Sequence, residues 1–153
     1  MSKINKDKDY FVIIGSDHGG YEMKEIIKSH LKSNNINFED IGTYTKESCD
    51  YPDIAKKLCN KLINKNKIIK SFGILICGSG IGISIAANKI SGIRCALCHD
   101  NYTARMSRKH NNANVLAIGG RTTGIEIVKD MIDIFLKEDF EGGRHTRRIN
   151  KLE

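Results

Sequence analysis

The residues best suited to chemistry lie between Gly73 and Gly82, which read Gly-Ile-Leu-Ile-Cys-Gly-Ser-Gly-Ile-Gly. Ile74, Leu75 and Ile76 have the shortness and β-branched bias of a strand buried on both faces. Gly78, Gly80 and Gly82 let the backbone turn sharply and approach a ligand, and Ile81 to Lys89 then resumes helix-compatible sequence whose first N–H groups point back at that ligand. Cys77 therefore enters an anion-binding loop from a strand end. A thiolate at such a place can act as a base next to a carbonyl, with the loop amides holding the enediolate oxygen as its charge develops. A buried cysteine packing as a small hydrophobe is the other reading, and the residues alone leave both open. Two nucleotide motifs fit less well. The glycine spacing is one residue short of the dinucleotide fingerprint and does not open the fold, and no Gly-Lys-Ser/Thr completes a P-loop.

The elements that must position this loop follow from hydrophobic periodicity. Tyr10 to Gly15 reads as a first strand, followed by Ser16-Asp17-His18-Gly19-Gly20 and an amphipathic helix from Tyr21 to Ser33. Ile36 to Ile41 reads as a second strand. Pro52 then starts a helix over Asp53 to Ile63. The Cys77 strand is third, with a short helix to about Lys89, and Ile93 to Cys98 is fourth. Asp100 reads as the N-cap of a helix to His110, Asn114 to Ile118 as strand five, and Ile125 to Lys137 as the last long helix. Strands alternating with helices predict an α/β fold, a three-layer, doubly wound (Rossmann-like), five-stranded parallel sheet with helices on both faces and right-handed crossovers. Ligands of such sheets bind outside the carboxyl ends of the strands, near the point where strand order reverses. Asp17, His18, Cys77 to Gly82, His99, Asp100 and Gly119 to Thr123 fall there.

At 153 residues the chain suits one domain, with residues 1–9 expected as a frayed leader. Neither a signal peptide nor an apolar run of membrane-spanning length is present, so the expectation is a soluble, cytoplasmic protein with no membrane partner. The net charge of +7 comes mostly from scattered lysines, with no basic stripe interleaved with aromatics, which argues against nucleic acid as a partner. Five cysteines in such a chain read as free thiols. Cys95-Ala-Leu-Cys98-His99 spells a haem-attachment motif but lies along a strand-like run, and no second cysteine pair completes a zinc site.

Several blocks then occur in order: Asp17-His18-Gly19-Gly20, Asp50-Tyr51-Pro52, Gly73 to Lys89, Ser107 to Leu116 including His110-Asn111, and Glu141-Gly-Gly-Arg144-His-Thr-Arg-Arg148. Together, from Tyr10 to Arg148, they resemble ribose-5-phosphate isomerase of the B type. The resemblance implies interconversion of ribose 5-phosphate and ribulose 5-phosphate through a cis-enediol, with no metal and no other cofactor. It implies that Cys77 is the base, Ser79 a hydroxyl aiding proton traffic, and the loop of Gly78, Gly80, Ile81 and Gly82 the anion hole. Ile83 stands where some relatives place a glutamate base, which supports the cysteine form. By the same resemblance His110 opens the furanose ring, and Asp17, Tyr51 and Asn111 contact the sugar. His18, Arg121, Arg144 and Arg148 hold the phosphate.

The resemblance further implies that the tail, residues 140–153, reaches a neighbouring subunit, in a homodimer or a homotetramer, while His145 and Arg147 lie on the surface. Six-carbon substrates, allose 6-phosphate or galactose 6-phosphate, are the alternative within the wider family, and a non-catalytic sugar-phosphate-binding module is the alternative outside it.

Overall fold

The computed structural model describes residues 10–153. The expected leader, residues 1–9, lies outside the described residues. In chain order the elements are β1 (Tyr10–Ser16), α1 (Tyr21–Ser33), β2 (Asn37–Asp40), α2 (Tyr51–Ile63), β3 (Lys70–Cys77), α3 (Ile81–Asn88), β4 (Cys95–Leu97), α4 (Asn101–Asn111), β5 (Val115–Gly119), α5 (Ile125–Lys137) and α6 (Arg144–Ile149). The strands form one parallel sheet in the order β2-β1-β3-β5-β4. β1 and β3 are neighbours, yet the chain leaves β1 toward one edge and β3 toward the other, which makes the gap above them the topological switch point.

Alternate residues of each strand face opposite layers, as the pleat requires. Val12, Ile14, Ile74, Ile76, Leu116 and Ile118 pack under α1, α4 and α5, whereas Ile13, Leu75, Cys77, Val115 and Ala117 pack under α2 and α3. Buried on both faces, the three central strands carry the near-continuous apolar runs that made them legible. The edge strands are shorter than the periodicity predicts. Ile93 donates its amide to Ile90 in a turn, and the amide of Arg94 goes to the side chain of Asn114, so β4 starts only at Cys95. β3 is longer than expected, because Lys70 still pairs with Tyr10.

Helix ends follow local chemistry. The Asp100 carboxylate accepts the Thr103 amide at 2.7 Å and caps α4, as the sequence predicts. Asn112, at φ +45°, ends it. The corner beyond is braced by Arg108, 2% exposed, whose guanidinium donates to the Ala113 carbonyl at 2.5 Å and lies over the rings of Phe72 and Phe135. No helix among the described residues is long and apolar enough to cross a membrane.

Candidate active site

Three loops meet above the carboxyl ends of β1, β3 and β5, and they meet main chain to main chain. A Cβ on Gly19 would lie 3.1 Å from the Gly78 amide nitrogen, one on Gly120 would lie 3.1 Å from the Gly19 carbonyl, and one on Gly119 would lie 2.7 Å from the Ser79 carbonyl. The backbone bonds from Gly120 to Cys77 (2.8 Å) and from Arg121 to Gly78 (3.0 Å) lock the second and third loops together.

Cys77 ends β3 with its side chain 4% exposed, and its Sγ accepts the Gly80 amide at 3.1 Å. Gly80 reaches that position at φ +78°, and a Cβ there would strike Leu97 and the Gly119 backbone. Ser79 Oγ accepts the Ile81 amide at 3.3 Å, and Ile81 and Gly82 begin α3. First-turn amides have no intrahelical acceptor, so this loop presents donors and the positive end of α3 to the space beside the thiol.

Asp17 is 6% exposed and its carboxylate accepts the Gly20 amide at 3.2 Å. His18 Nδ1 accepts the Cys49 amide at 3.2 Å, which leaves the proton of the neutral ring on Nε2. The Arg121 side chain runs along Gly78, with Nη1 3.2 Å from where a Cβ would sit, and its guanidinium has no ion-pair partner among the described residues. The ring of Tyr51, at the start of α2, covers Gly82 so closely that a Cβ there would lie 2.6 Å from Cζ. The first loop, the Cys77 loop, Tyr51 and Arg121 thus form one crevice at the switch point.

The remaining expected residues lie elsewhere. α4 starts at the carboxyl edge and runs to the amino edge, so His110 and Asn111 emerge beside the beginning of β4, where the Asn111 carbonyl accepts Arg94 Nε at 2.9 Å. Between the levels of Gly73 and Cys77 alone, four strand residues at about 3.3 Å each separate the two edges by about 13 Å. The tail comes to the same corner. The Glu141 amide bonds the Lys109 carbonyl at 3.0 Å, and α6 presents exposed Arg144 and Arg148 one turn apart. A cavity of about 660 Å³ between Asn88 and Ala96, with Asn111 at its rim, also lies at this edge and includes neither Cys77 nor Arg121.

One expectation is corrected here. His145 is not a surface residue: it is 6% exposed, and its ring stacks on that of His110 with centroids 4.2 Å apart. Burial pushes its imidazole below the usual range, and the charge of a protonated His110 would add to this. Glu141, its other neighbour, carries no role in the sequence reading. The spacing Glu141-x-x-x-His145 suits one helix face, but the intervening Gly142 and Gly143, at φ +71° and +58°, disguise it.

The other thiols are placed for packing. Burial pushes Cys59 up to about 12, and raises Cys95 and Cys98 as well. Cys95 packs against the α2/α3 layer and Cys98 within the α1/α4/α5 layer, so the pair that spells a haem motif points to opposite faces of the sheet.

Comparison with known proteins gives this arrangement a class, that of an isomerase. The family described as Ribose/Galactose Isomerase matches residues 12–152, and the chain belongs to that family. It is similar to the ribose-5-phosphate isomerase B of Escherichia coli, at 41% identity over 92% of this chain and 93% of that protein. Among solved structures it is similar to the ribose-5-phosphate isomerase B of Clostridium thermocellum, with TM-score 0.88 and 47% identity over 93% of this chain and 94% of that one. The enzyme of that name from Mycoplasma genitalium, solved with bound ribulose-5-phosphate, gives TM-score 0.88 at 41% identity over 95% of both chains.

Proposed function

We propose that this chain interconverts ribose 5-phosphate and ribulose 5-phosphate with Cys77 as the base, in a site completed by a second copy of the same chain. The observation that carries the reading is the thiol of Cys77 under the Gly80 amide, beside the Arg121 guanidinium at the switch point. In the aldose-to-ketose direction the Cys77 thiolate takes the proton from C2. The electron pair moves into a C1–C2 double bond, and the charge goes to the C1 oxygen, which accepts the amides at the start of α3. Ser79 Oγ passes a proton between the two sugar oxygens, and Cys77 returns its proton to C1. Nε2 of His18 and the fork of Arg121 bind the phosphate, while Asp17 and Tyr51 hold sugar hydroxyls.

Two features support a second copy. His110, Asn111, Arg144 and Arg148, which by the resemblance open the ring, contact the sugar and hold the phosphate, stand at the opposite sheet edge from Cys77. α3 also exposes Ile81 (53%) and Ile85 (55%), one turn apart, beside the crevice. A two-fold pair would bring one copy's tail corner over the other copy's crevice and bury this face. His110 then opens the furanose ring, and Arg144 and Arg148 add two guanidinium forks to the phosphate.

A coupled isomerase assay on ribose 5-phosphate, allose 6-phosphate and galactose 6-phosphate tests the reading. Turnover of the pentose phosphate above both hexose phosphates is expected. Preference for a hexose phosphate would move the substrate assignment, and binding without turnover of any would leave a sugar-phosphate-binding module.

A further inference from the structure

The rings of His110 and His145 are nearly parallel, at 13°, and present their Nε2 atoms to a single carboxylate oxygen, Oε2 of Glu141, each at 3.5 Å. Donor atoms of all three residues lie within 4.8 Å of one another. At 3.5 Å these contacts are longer than ordinary N–H···O hydrogen bonds, and Nε2 of His145, buried, makes none. An orphaned buried nitrogen is uncommon and calls for a partner. The two separations from the Glu141 oxygen match neighbouring donors around one ion, which lie about 3.4 Å apart with tetrahedral bonds of about 2.1 Å.

The cluster is also built rather than casual. The Glu141 amide is tied to the Lys109 carbonyl at 3.0 Å, and the His145 amide to the Gly142 carbonyl at 3.2 Å, so α4 and the tail carry the donors on bonded backbone. The side chains of His110 and Glu141 are 38% and 54% exposed, which leaves one side open to solvent for a fourth position. Two imidazoles and a carboxylate are a borderline donor set. They suit Zn²⁺ and its substitutes Co²⁺ and Ni²⁺, and they suit Mg²⁺ or Ca²⁺ poorly, since those ions want oxygen donors in greater number.

We propose that His110, Glu141 and His145 bind one Zn²⁺-class ion per chain, and that the bound ion inhibits the enzyme by occupying Nε2 of His110. The binding half stands on the cluster geometry. The inhibitory half rests on the ring-opening role of His110 given above. Arg144 and Arg148, on the same short helix, keep the surroundings positive and set the affinity below that of a structural zinc site.

Co²⁺ is the probe, because its visible ligand-field bands report nitrogen and oxygen donors, whereas a cysteine ligand adds a near-ultraviolet thiolate charge-transfer band. Titration of the full chain is expected to give one ion per chain without the thiolate band, unchanged in Cys77→Ala. At least a tenfold loss of affinity is expected in Glu141→Gln, which alters an exposed side chain, and in His145→Phe, which keeps a ring on His110. Zn²⁺ should inhibit isomerisation of ribose 5-phosphate reversibly, with a chelator restoring activity, and should do so more weakly in Glu141→Gln. A thiolate band lost with Cys77→Ala, or equal affinity in both cluster variants, overturns the site. Co²⁺ binding that depends on Glu141 and His145 without inhibition by Zn²⁺ overturns the inhibitory half while the site itself stands, and the ring-opening role of His110 is read separately, from the turnover of metal-free His110→Ala.

Discussion

The amide of Gly80 donates to Sγ of Cys77 across 3.1 Å, and the contact exists because residue 80 adopts φ +78°. Gly80→Ala asks an L side chain to hold a left-handed conformation and pushes its Cβ to 2.6 Å from Leu97 Cδ1. The variant should lose about 1–3 kcal/mol of stability and lose turnover by more than that destabilisation explains, because the donor to sulfur shifts. Urea denaturation alongside assays well below the unfolding midpoint separates the two losses. Wild-type turnover in a destabilised Gly80→Ala protein would disconnect this bond from catalysis.

Replacing the sulfur itself is the more direct probe. Cys77→Ala should reduce kcat by about 10²–10⁴-fold, the range typical of a positioned base, with sugar-phosphate affinity largely kept. Isothermal titration with ribulose 5-phosphate reads the binding, and the coupled assay reads the chemistry. Retention of wild-type turnover would remove Cys77 from its role.

A shared site makes a prediction that no single-chain site makes. Cys77→Ala and His110→Ala should each be nearly inactive alone, yet dissociating and re-associating a mixture should restore activity. In random two-fold pairs half the dimers are hybrids, and one of the two sites in each hybrid is intact, so recovery should reach about a quarter of wild type. If the re-associated mixture is no more active than its parents, His110 and Cys77 do not meet across an interface.

The fold has an acid-sensitive anchor of its own. Lys24, with no exposed side-chain surface, bonds Asp40 at 2.6 Å, and Lys28 reaches the same carboxylate at 2.9 Å. Burial alone pushes the Asp40 carboxyl up, but hydrogen bonds from Lys24, Lys28 and the Gly42 amide outweigh it and hold the group below the usual carboxylate range. Its folded value being the lower one, the unfolded chain binds more protons between the two values. The stabilisation is therefore present above about pH 4 and is lost as pH falls through the folded value. Asp40→Ala leaves the buried Lys24 ammonium with only its longer, 3.4 Å ion pair to Glu25 and should cost about 3 kcal/mol at neutral pH, with a flatter loss of stability toward acid than wild type. Denaturation midpoints at neutral and acid pH check this, and parallel pH dependences would rule out Asp40 as the source.

The crevice was legible in the sequence because each of its parts follows a strand. The buried runs Val12–Ile14 and Ile74–Ile76 mark strand ends unambiguously, and the residues just beyond them, Asp17, His18 and Cys77, inherit their place from the topology. Edge strands were less legible. β2 and β4 each pair on one side only and end while the partner strand runs on, at Asp40 opposite Ile14 and at Leu97 opposite Ala117, so the periodicity over Ile36 to Ile41 and Ile93 to Cys98 overstates both. The burial of His145 could not be read at all. It depends on a turn through two glycines with positive φ and on a bond from Glu141 to Lys109, far apart in sequence. Nor does the one-dimensional pattern reveal that α4 carries His110 away from the edge where its N-cap Asp100 lies.

The contacts among Gly19, Gly78, Gly119 and Gly120 have a bearing on how substrate range can change. Where three loops already touch backbone to backbone, no side chain can be trimmed to deepen the reacting end, and enlarging one closes it. Under the proposed reaction, the depth at which C1 and C2 sit is thereby gauged by the main chain. Under the two-copy reading, a longer sugar is accommodated only by moving the phosphate clamp outward. Selection or engineering for chain length would then act on how two subunits are set against each other, through the seat of α3 and the angle of α6, and would leave the thiol loop untouched.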